Sequence, residues 1–333
     1  MKTLLMTAAG GPEVLQLRDI PEPRITAADQ VKVKLRGAGI NPIDTKLRSR
    51  GVLFPEALPC VLGCDGAGEV VECGAAVTGL EPGDPVWFCH GGLGREPGNY
   101  AQYTVVPASV ARPMPNTLDA LHAAAGPLVL ITAWEALFDR AQLQAGQTVL
   151  IHAGAGGVGH VAIQLAKHAG ARVCTTASGV DKAAFVRGLG ADQVIDHRQT
   201  DFAAAVNAWT DGRGVDVVLD CVGGETFRRS LDATAHYGSV VTLLEPGTDV
   251  SWKEARTRNL RIGFELMLTP MVRDLPQARA HQGEILDRCA GMIDAGQLQL
   301  HVSEVLPLAQ ATEAHARVEQ GRVQGKLVLD PWA

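Results

Sequence analysis

The chain has 333 residues, 46% of them hydrophobic and 20% charged, with a formal net charge of -6, enough length for two ordinary domains with packed cores. An acidic balance, with a pI of about 5.9, argues against a nucleic-acid platform, and no apolar run is long enough to cross a bilayer. Seven scattered cysteines, an odd number, form no disulfide framework and point to a reducing, cytoplasmic setting.

The start, "MKTLLMTAAGGPEVL", faintly mimics a signal peptide. Its apolar stretch is short and runs into a Gly-Gly-Pro turn, so it reads as a first strand and hairpin. Further on, Val31, Val33 and Leu35 alternate with Lys32, Lys34 and Arg36, the pattern of a half-buried strand. "AGEVVECG" and "DPVWFC" are similar runs. Breakers at Pro42, Pro55, Pro59, Pro82 and Gly83 cut the region into short strands, as in a small all-β domain.

The character changes near Leu121. "LHAAAGPLVLITAWEALFD" is Ala-rich with helical spacing. "TVLIHA", "ARVCTTA", "DQVIDH", "VDVVLDCVG", "GSVVTLL" and "LRIGF" then supply about six apolar strands alternating with helices. Runs of this kind are buried in parallel sheets, and six strands suit a doubly wound dinucleotide fold. The densest basic stretch, Arg256 to Arg261, reads as a solvated helix face. The tail after Gly263 is too short for a domain and is expected to rejoin the first one.

Gly154, Gly156 and Gly159 stand as G-x-G-x-x-G directly after a strand and opening a helix, the context in which this pattern signifies dinucleotide binding. The first glycine is expected to allow the tight turn, the second to let backbone approach a pyrophosphate, and the third to permit close helix-to-strand packing. The loop Gly154, Ala155, Gly156, Gly157, Val158 and Gly159 thus becomes the phosphate seat, with the helix dipole favouring negative charge. An NAD site usually places an acid at the tip of the second strand. Here the tip carries Ser178, followed by Lys182, a hydroxyl and a cation suited to the 2′-phosphate of NADP. Asp181 is expected to point outward from the first turn of the next helix.

With these motifs placed, the chain resembles the medium-chain dehydrogenase/reductase superfamily. Within it the likeness is to the zinc-independent quinone oxidoreductases, which include zeta-crystallin. It rests on "GINPIDTKLRSRG", "PCVLGCDGAGEVVECG", "GDPVWF", "GNYAQYTVVP", "PLVLITAWEAL", "HAGAGGVGHVAIQLAKHAGA", "LGADQVIDH" and "GKLVL", nearly the whole chain. The resemblance implies an α/β protein with a GroES-like β-rich catalytic domain, residues 1–121 and 264–333, and a doubly wound parallel-sheet Rossmann domain, residues 122–263. It also implies a homodimer through the edge strand near Leu260 to Phe264. The zinc-dependent alcohol dehydrogenases carry an early Cys and a "GHE" motif; here those positions read Gly39-Ile40-Asn41 and Gly63-Cys64-Asp65. No metal is therefore expected, because zinc needs several converging ligands.

Without zinc, hydride addition to a quinone or an α,β-unsaturated carbonyl is favoured over simple alcohol oxidation. The resemblance places Asn41 and Asp44 at the cleft between domains, as candidate catalytic residues orienting substrate or ribose; an Asn-Pro turn capped by Asp44 is the structural alternative. Thr132 matches a position facing the nicotinamide amide, with a helix threonine bonded to its own backbone as the alternative. Cys221 and Val222 match the loop beside the nicotinamide ribose, His197 falls toward the adenosine end, and Leu243 and Leu244 end the fifth strand where they would cover the nicotinamide. The expected activity is an NADPH-dependent reductase of quinones or conjugated carbonyls. An enoyl-thioester reductase, a zinc alcohol dehydrogenase and a non-catalytic NADP(H)-binding protein stay open beside it.

Overall fold

In the computed structural model, which describes Met1–Ala333, Val31, Val33 and Leu35 are fully buried while Arg36 is exposed. Their strand, Gln30–Gly39, pairs antiparallel with Asp65–Cys73 and Tyr103–Pro107. The inward residues of these strands and of Pro85–Cys89, among them Val70, Val86, Phe88 and Val106, form one core. The first residues form the strand Lys2–Met6, paired antiparallel with Leu15–Asp19 and with Cys60–Val61. The end of the chain joins the same sheet: Lys326–Asp330 pairs antiparallel with Gln30–Gly39 and parallel with Val302–Pro307. This β-rich unit comprises Met1–Leu128, Thr269–Gly296 and Leu300–Ala333.

The second unit, Val129–Leu268 with Gln297–Gln299, is built on six parallel strands. Across the sheet they run Gln193–Asp196, Arg172–Ala177, Thr148–Ile151, Val215–Asp220, Thr234–Thr242 and Arg261–Phe264. Numbered along the chain this is 3-2-1-4-5-6, the order of a doubly wound nucleotide-binding sheet. The protein is thus an α/β chain with a GroES-like β domain and a Rossmann-type domain. Leu150, Cys174, Val218, Phe227 and Val240 pack in one buried cluster. Between Thr148–Ile151 and Arg172–Ala177 runs the helix Gly157–His168, whose Val161, Ala162, Leu165 and Ala166 are buried.

The Ala-rich stretch near Leu121 is broken rather than continuous. Ala120–Ala123 and Pro127–Trp134 are separate helices, and a wider π-type turn, Glu135–Arg140, follows. Pro127 has no N–H to continue the earlier helix, and it suits the first position of a new one.

Leu150, on the first strand of the parallel sheet, is fully buried. Leu150→Ala should destabilise the second unit by about 2–5 kcal/mol, read as a lowered urea midpoint by circular dichroism. A loss below about 0.5 kcal/mol, the scale of a surface substitution, would contradict this core.

Candidate active site

The turn after Thr148–Ile151 is tight, and the residue in the left-handed region is Ala153, at φ 53°. None of Gly154, Gly156 and Gly159 has a positive φ, so the first glycine does not serve the turn through its dihedral freedom. Its smallness is what matters. A Cβ on Gly154 would stand 2.0 Å from Thr175 Oγ1 and 3.0 Å from Ile163 Cδ1. The Ala153 N–H donates to Thr176 Oγ1 at 3.0 Å and the Gly154 N–H to the Thr176 carbonyl at 3.0 Å. These bonds clamp the loop onto the second strand. A Cβ on Gly159 would stand 2.3 Å from the Ala153 carbonyl oxygen, so the third glycine lets the helix sit on the loop itself. At Gly156 a Cβ would have a single neighbour, the Ala153 oxygen at 3.2 Å, which leaves that side of the backbone open.

The helix Gly157–His168 starts at Gly156 with no side-chain cap. The first amides of a helix have no carbonyl partner within it. An open backbone, amides without helix partners and the positive end of the dipole together form an anion seat.

Because the sheet is parallel, the carboxyl ends of its strands lie along one edge, and the sequence-derived cofactor residues gather there. Ser178 and Lys182, both half-buried, follow the second strand; the exposed His197 follows the third. Burial, and then the nearby Arg198 guanidinium, hold the Lys182 ammonium below its ordinary value. Lys182 and Arg198 are therefore neighbouring cations. Asp196 accepts from the Arg198 N–H at 3.0 Å and the Gly179 N–H at 3.4 Å. Asp181 is exposed in the first turn of Val180–Gly188. Beyond the fourth strand come the half-buried Cys221 and exposed Val222, and beyond the fifth the half-buried Leu243 and Leu244. Burial pushes the Cys221 thiol up, so it stays protonated at neutral pH. Thr132 is buried on Pro127–Trp134.

Asp220 organises this edge, and the sequence reading passed over it. Fully buried, it accepts from the Val222 and Gly223 N–H groups at 2.9 and 3.0 Å and from the Thr242 hydroxyl at 2.9 Å. The Leu243 N–H in turn donates to the Asp220 carbonyl at 3.0 Å. Its position after "VVL" looks like any strand end; only the fold brings Thr242 to it.

The first unit holds Asn41 and Asp44, both 0% exposed. The Asn41 amide is engaged within the protein: its Nδ2 donates to Asp65 Oδ2 at 2.8 Å, and its Oδ1 accepts from Lys326 Nζ. Lys326 also donates to the Ile40 carbonyl at 2.8 Å and pairs with Asp65 at 3.5 Å. Asp65 completes its bonding with the Leu128 N–H at 2.8 Å. Asp44 Oδ2 accepts from the Asn41 N–H at 2.8 Å and the Tyr100 hydroxyl at 2.9 Å, and His315 Nε2 meets that hydroxyl at 3.3 Å. Asp44 Oδ1 is buried with no partner. The sequence signalled Asn41 and Asp44 but not Asp65, Lys326, Tyr100 or His315, because four separate segments meet here. A cavity of about 730 Å³ in the same unit is lined by Cys60, His90, Arg95, Glu96 and Tyr103 among others, and by none of the sequence-derived site residues. No three His, Cys, Asp or Glu side chains stand together as a metal ligand set.

Burial, more than any neighbouring charge, pushes the Asp44 carboxyl from an ordinary 3.8 up to about 7. The folded chain thus holds a proton that the unfolded chain releases between those values. Asp44's contribution to stability is complete below the lower value, falls as pH rises and is gone above the upper one. Asp44→Asn mimics the protonated form. The stability of the wild type relative to this variant should fall with pH across that window, by at most about 1.4 kcal/mol per pH unit, and level off above it. Urea unfolding at several pH values measures this, and a pH-independent difference would contradict it.

Comparison with known proteins places this geometry. Residues 27–116 match the alcohol dehydrogenase GroES-like domain, and residues 189–329 match the zinc-binding dehydrogenase domain. A quinone oxidoreductase of Pseudomonas aeruginosa is 33% identical, over 99% of each chain. The Escherichia coli quinone oxidoreductase, solved in complex with NADPH, superposes with a TM-score of 0.89 at 30% identity, over 99% of this chain and 100% of that one. A solved 2-haloacrylate reductase superposes with a TM-score of 0.83 at 29% identity, over 100% of both chains. Full-length similarity at this level, with the glycine loop and the six-strand order already in hand, means that the chain belongs to the quinone oxidoreductase family of the medium-chain dehydrogenase/reductase superfamily.

Proposed function

We propose that the chain is an NADPH-dependent reductase that delivers hydride to quinones or α,β-unsaturated carbonyls without zinc. The observation that carries the reading is the open backbone at Gly156 and the uncapped start of the helix Gly157–His168 on the carboxyl edge of the parallel sheet, with Ser178, Lys182 and Arg198 on the same edge. The residues fit a nicotinamide dinucleotide: a cradle that a Cβ would crowd at Gly154 and Gly159, and donors where an anion would lie. The helix amides would hold the pyrophosphate. Ser178 would donate to a 2′-phosphate, and Lys182 and Arg198 would neutralise it. A dianion between two neighbouring cations relieves their repulsion, which is why we read the pair as a preference for NADPH over NADH. Cys221, Val222, Leu243 and Leu244 would line the nicotinamide side, with Asp220 fixing their backbone. When bound, the cofactor supplies the hydride; the chain supplies position and polarity.

The family description names zinc, but the donor set does not fit it. Asn41, Cys64 and Asp65 stand where the zinc enzymes carry ligands; Asn41 and Asp65 are tied to each other and to Lys326, and no metal-ligating triplet forms. The reaction is therefore read without a Lewis acid. A conjugated acceptor suits this, because negative charge spreads to a remote oxygen that solvent can protonate. The likeness to a 2-haloacrylate reductase supports the same acceptor class. Asn41 and Asp44 act in this reading as the buried frame of the first unit. We further propose a homodimer through the edge strand Arg261–Phe264, whose Phe264 is 60% exposed and is followed two residues later by Leu266 at 58%.

NADPH consumption with an ortho-quinone in the presence of a metal chelator should be rapid, and that of NADH at least about tenfold less efficient in kcat/KM, about 1.4 kcal/mol. Loss of activity on chelation would overturn the zinc-free reading, and equal use of both cofactors would overturn the Lys182 assignment. Lys182→Glu should raise the KM for NADPH about tenfold or more and leave that for NADH little changed. Gly154→Ala, whose methyl would collide with Thr175, should weaken NADPH binding at least about tenfold while far-ultraviolet circular dichroism stays native. Unchanged binding would separate the loop from the cofactor.

A further inference from the structure

His152 stands between the first parallel strand and the glycine loop, and nothing above uses it. It is 1% exposed. Its N–H donates to the Leu219 carbonyl at 3.0 Å, which continues the pairing of Thr148–Ile151 with Val215–Asp220. Its ring meets the Phe202 ring edge-on, with centroids 4.7 Å apart. Each ring nitrogen has a hydroxyl beside it: Nδ1 lies 3.3 Å from Thr176 Oγ1, and Nε2 lies 2.9 Å from Ser230 Oγ. Thr176 and Ser230 are both buried.

The hydrogens available fix which way these bonds run. The Ser230 hydroxyl has a single hydrogen, and it goes to the Thr226 carbonyl at 2.7 Å. Ser230 Oγ can then only accept from the ring, so His152 Nε2 carries the proton. Burial, and then the nearby His197 and Arg229, hold the His152 imidazole down to about 3, so the ring is neutral at neutral pH and Nδ1 is a bare acceptor. The Thr176 hydroxyl gives its hydrogen to Nδ1, and its oxygen accepts the Ala153 N–H at 3.0 Å. The bonds thus run one way, from the Ala153 amide through Thr176, His152 and Ser230 to the Thr226 carbonyl. Thr226 lies in the first turn of the helix Gly224–Ala233, just beyond the turn that Asp220 holds through the Val222 and Gly223 amides.

The bond at Ala153 has a particular task, because that residue stands at φ 53°. A left-handed residue other than glycine persists only where its surroundings hold it. Here the Thr176 hydroxyl holds it, and His152 holds the hydroxyl.

We propose that His152 is a positioning residue for the cofactor: with its proton on Nε2, it orients the Thr176 hydroxyl that holds the Ala153 amide, and so fixes the start of the glycine loop. This rests on the reading of that loop as the dinucleotide seat. The pyrophosphate is common to NADPH and NADH, so His152 should act on both alike, unlike Lys182.

Nuclear magnetic resonance of the protein carrying isotope-labelled histidine should show His152 as the neutral Nε2–H tautomer, unchanged between about pH 5 and 8. The opposite tautomer, or a ring that titrates in that range, overturns the proposal without any variant. By fluorescence titration, His152→Leu should raise the dissociation constants of NADPH and NADH alike, on the order of threefold to tenfold, the effect of one lost hydrogen bond. Its kcat should change by less than about twofold. His152→Asn, whose amide oxygen can take the place of Nδ1, should bind both nucleotides within about twofold of the wild type. Thr176→Val should reproduce the loss, and combining it with His152→Leu should lose no more than either alone. A merely structural role would lower the urea midpoint and leave the dissociation constants unchanged. Wild-type binding by His152→Leu, or losses that add, overturns the proposal alone. Failure of the wild type to bind either nucleotide overturns the cofactor reading, and the proposal with it.

Discussion

The second unit depends on how closely Gly154 approaches Thr175. At that point the loop after the first parallel strand lies against the second strand with no room for a methyl group. The Thr176 hydroxyl and carbonyl fasten the backbone there. The helix that follows then starts abruptly, uncapped, with its first amides lacking carbonyl partners within the helix. A larger residue would lift the loop and redirect those amides. Steric contact thus sets the direction of an electrostatic feature, and the carboxyl edge of the sheet becomes the place where an anion is favoured.

A different kind of constraint governs the first unit. Asp65 and Lys326 form an ion pair without solvent, joined by Asn41. An isolated buried charge is costly, and a buried pair breaks even only when its remaining hydrogen bonds are met. Here they are met by the Leu128 amide and the Ile40 carbonyl. The pair links strand Asp65–Cys73 to the C-terminal strand Lys326–Asp330 and to the turn that opens Pro42–Arg50. The last residues of the chain are thereby fixed to its first third by polar contacts as well as by sheet pairing.

Much of this was legible in the sequence, and the boundary has a physical explanation. Parallel strands show as apolar runs because both faces are covered, and half-buried strands as alternation, so both sheets could be read. The glycine pattern was legible as well, but not the work each glycine does. The left-handed residue is Ala153, which no motif marks, and Gly154 is needed for a contact with a residue 21 positions later, at Thr175. Lys182 stood out beside Ser178, whereas Arg198 joins it only when the third strand lies next to the second. The family resemblance offered Asn41 as a residue orienting substrate or ribose, with an Asn-Pro turn capped by Asp44 as the alternative; in the structure Asp44 accepts from the Asn41 N–H, and the Asn41 amide has two further partners, 24 and 285 positions away. Periodicity carries local structure, and contacts made across such separations leave no local mark.

Hydrogen–deuterium exchange of the backbone amides, with and without saturating NADPH, reads the helix-opening amides after Gly156 themselves, the atoms proposed to hold the pyrophosphate. NADPH should slow exchange most strongly in the segment from Gly154 to Gly159, with a second protected stretch around Ser178 to Lys182. Protection confined to other segments, with the glycine loop exchanging as fast as in the free protein, would contradict that role of the amides.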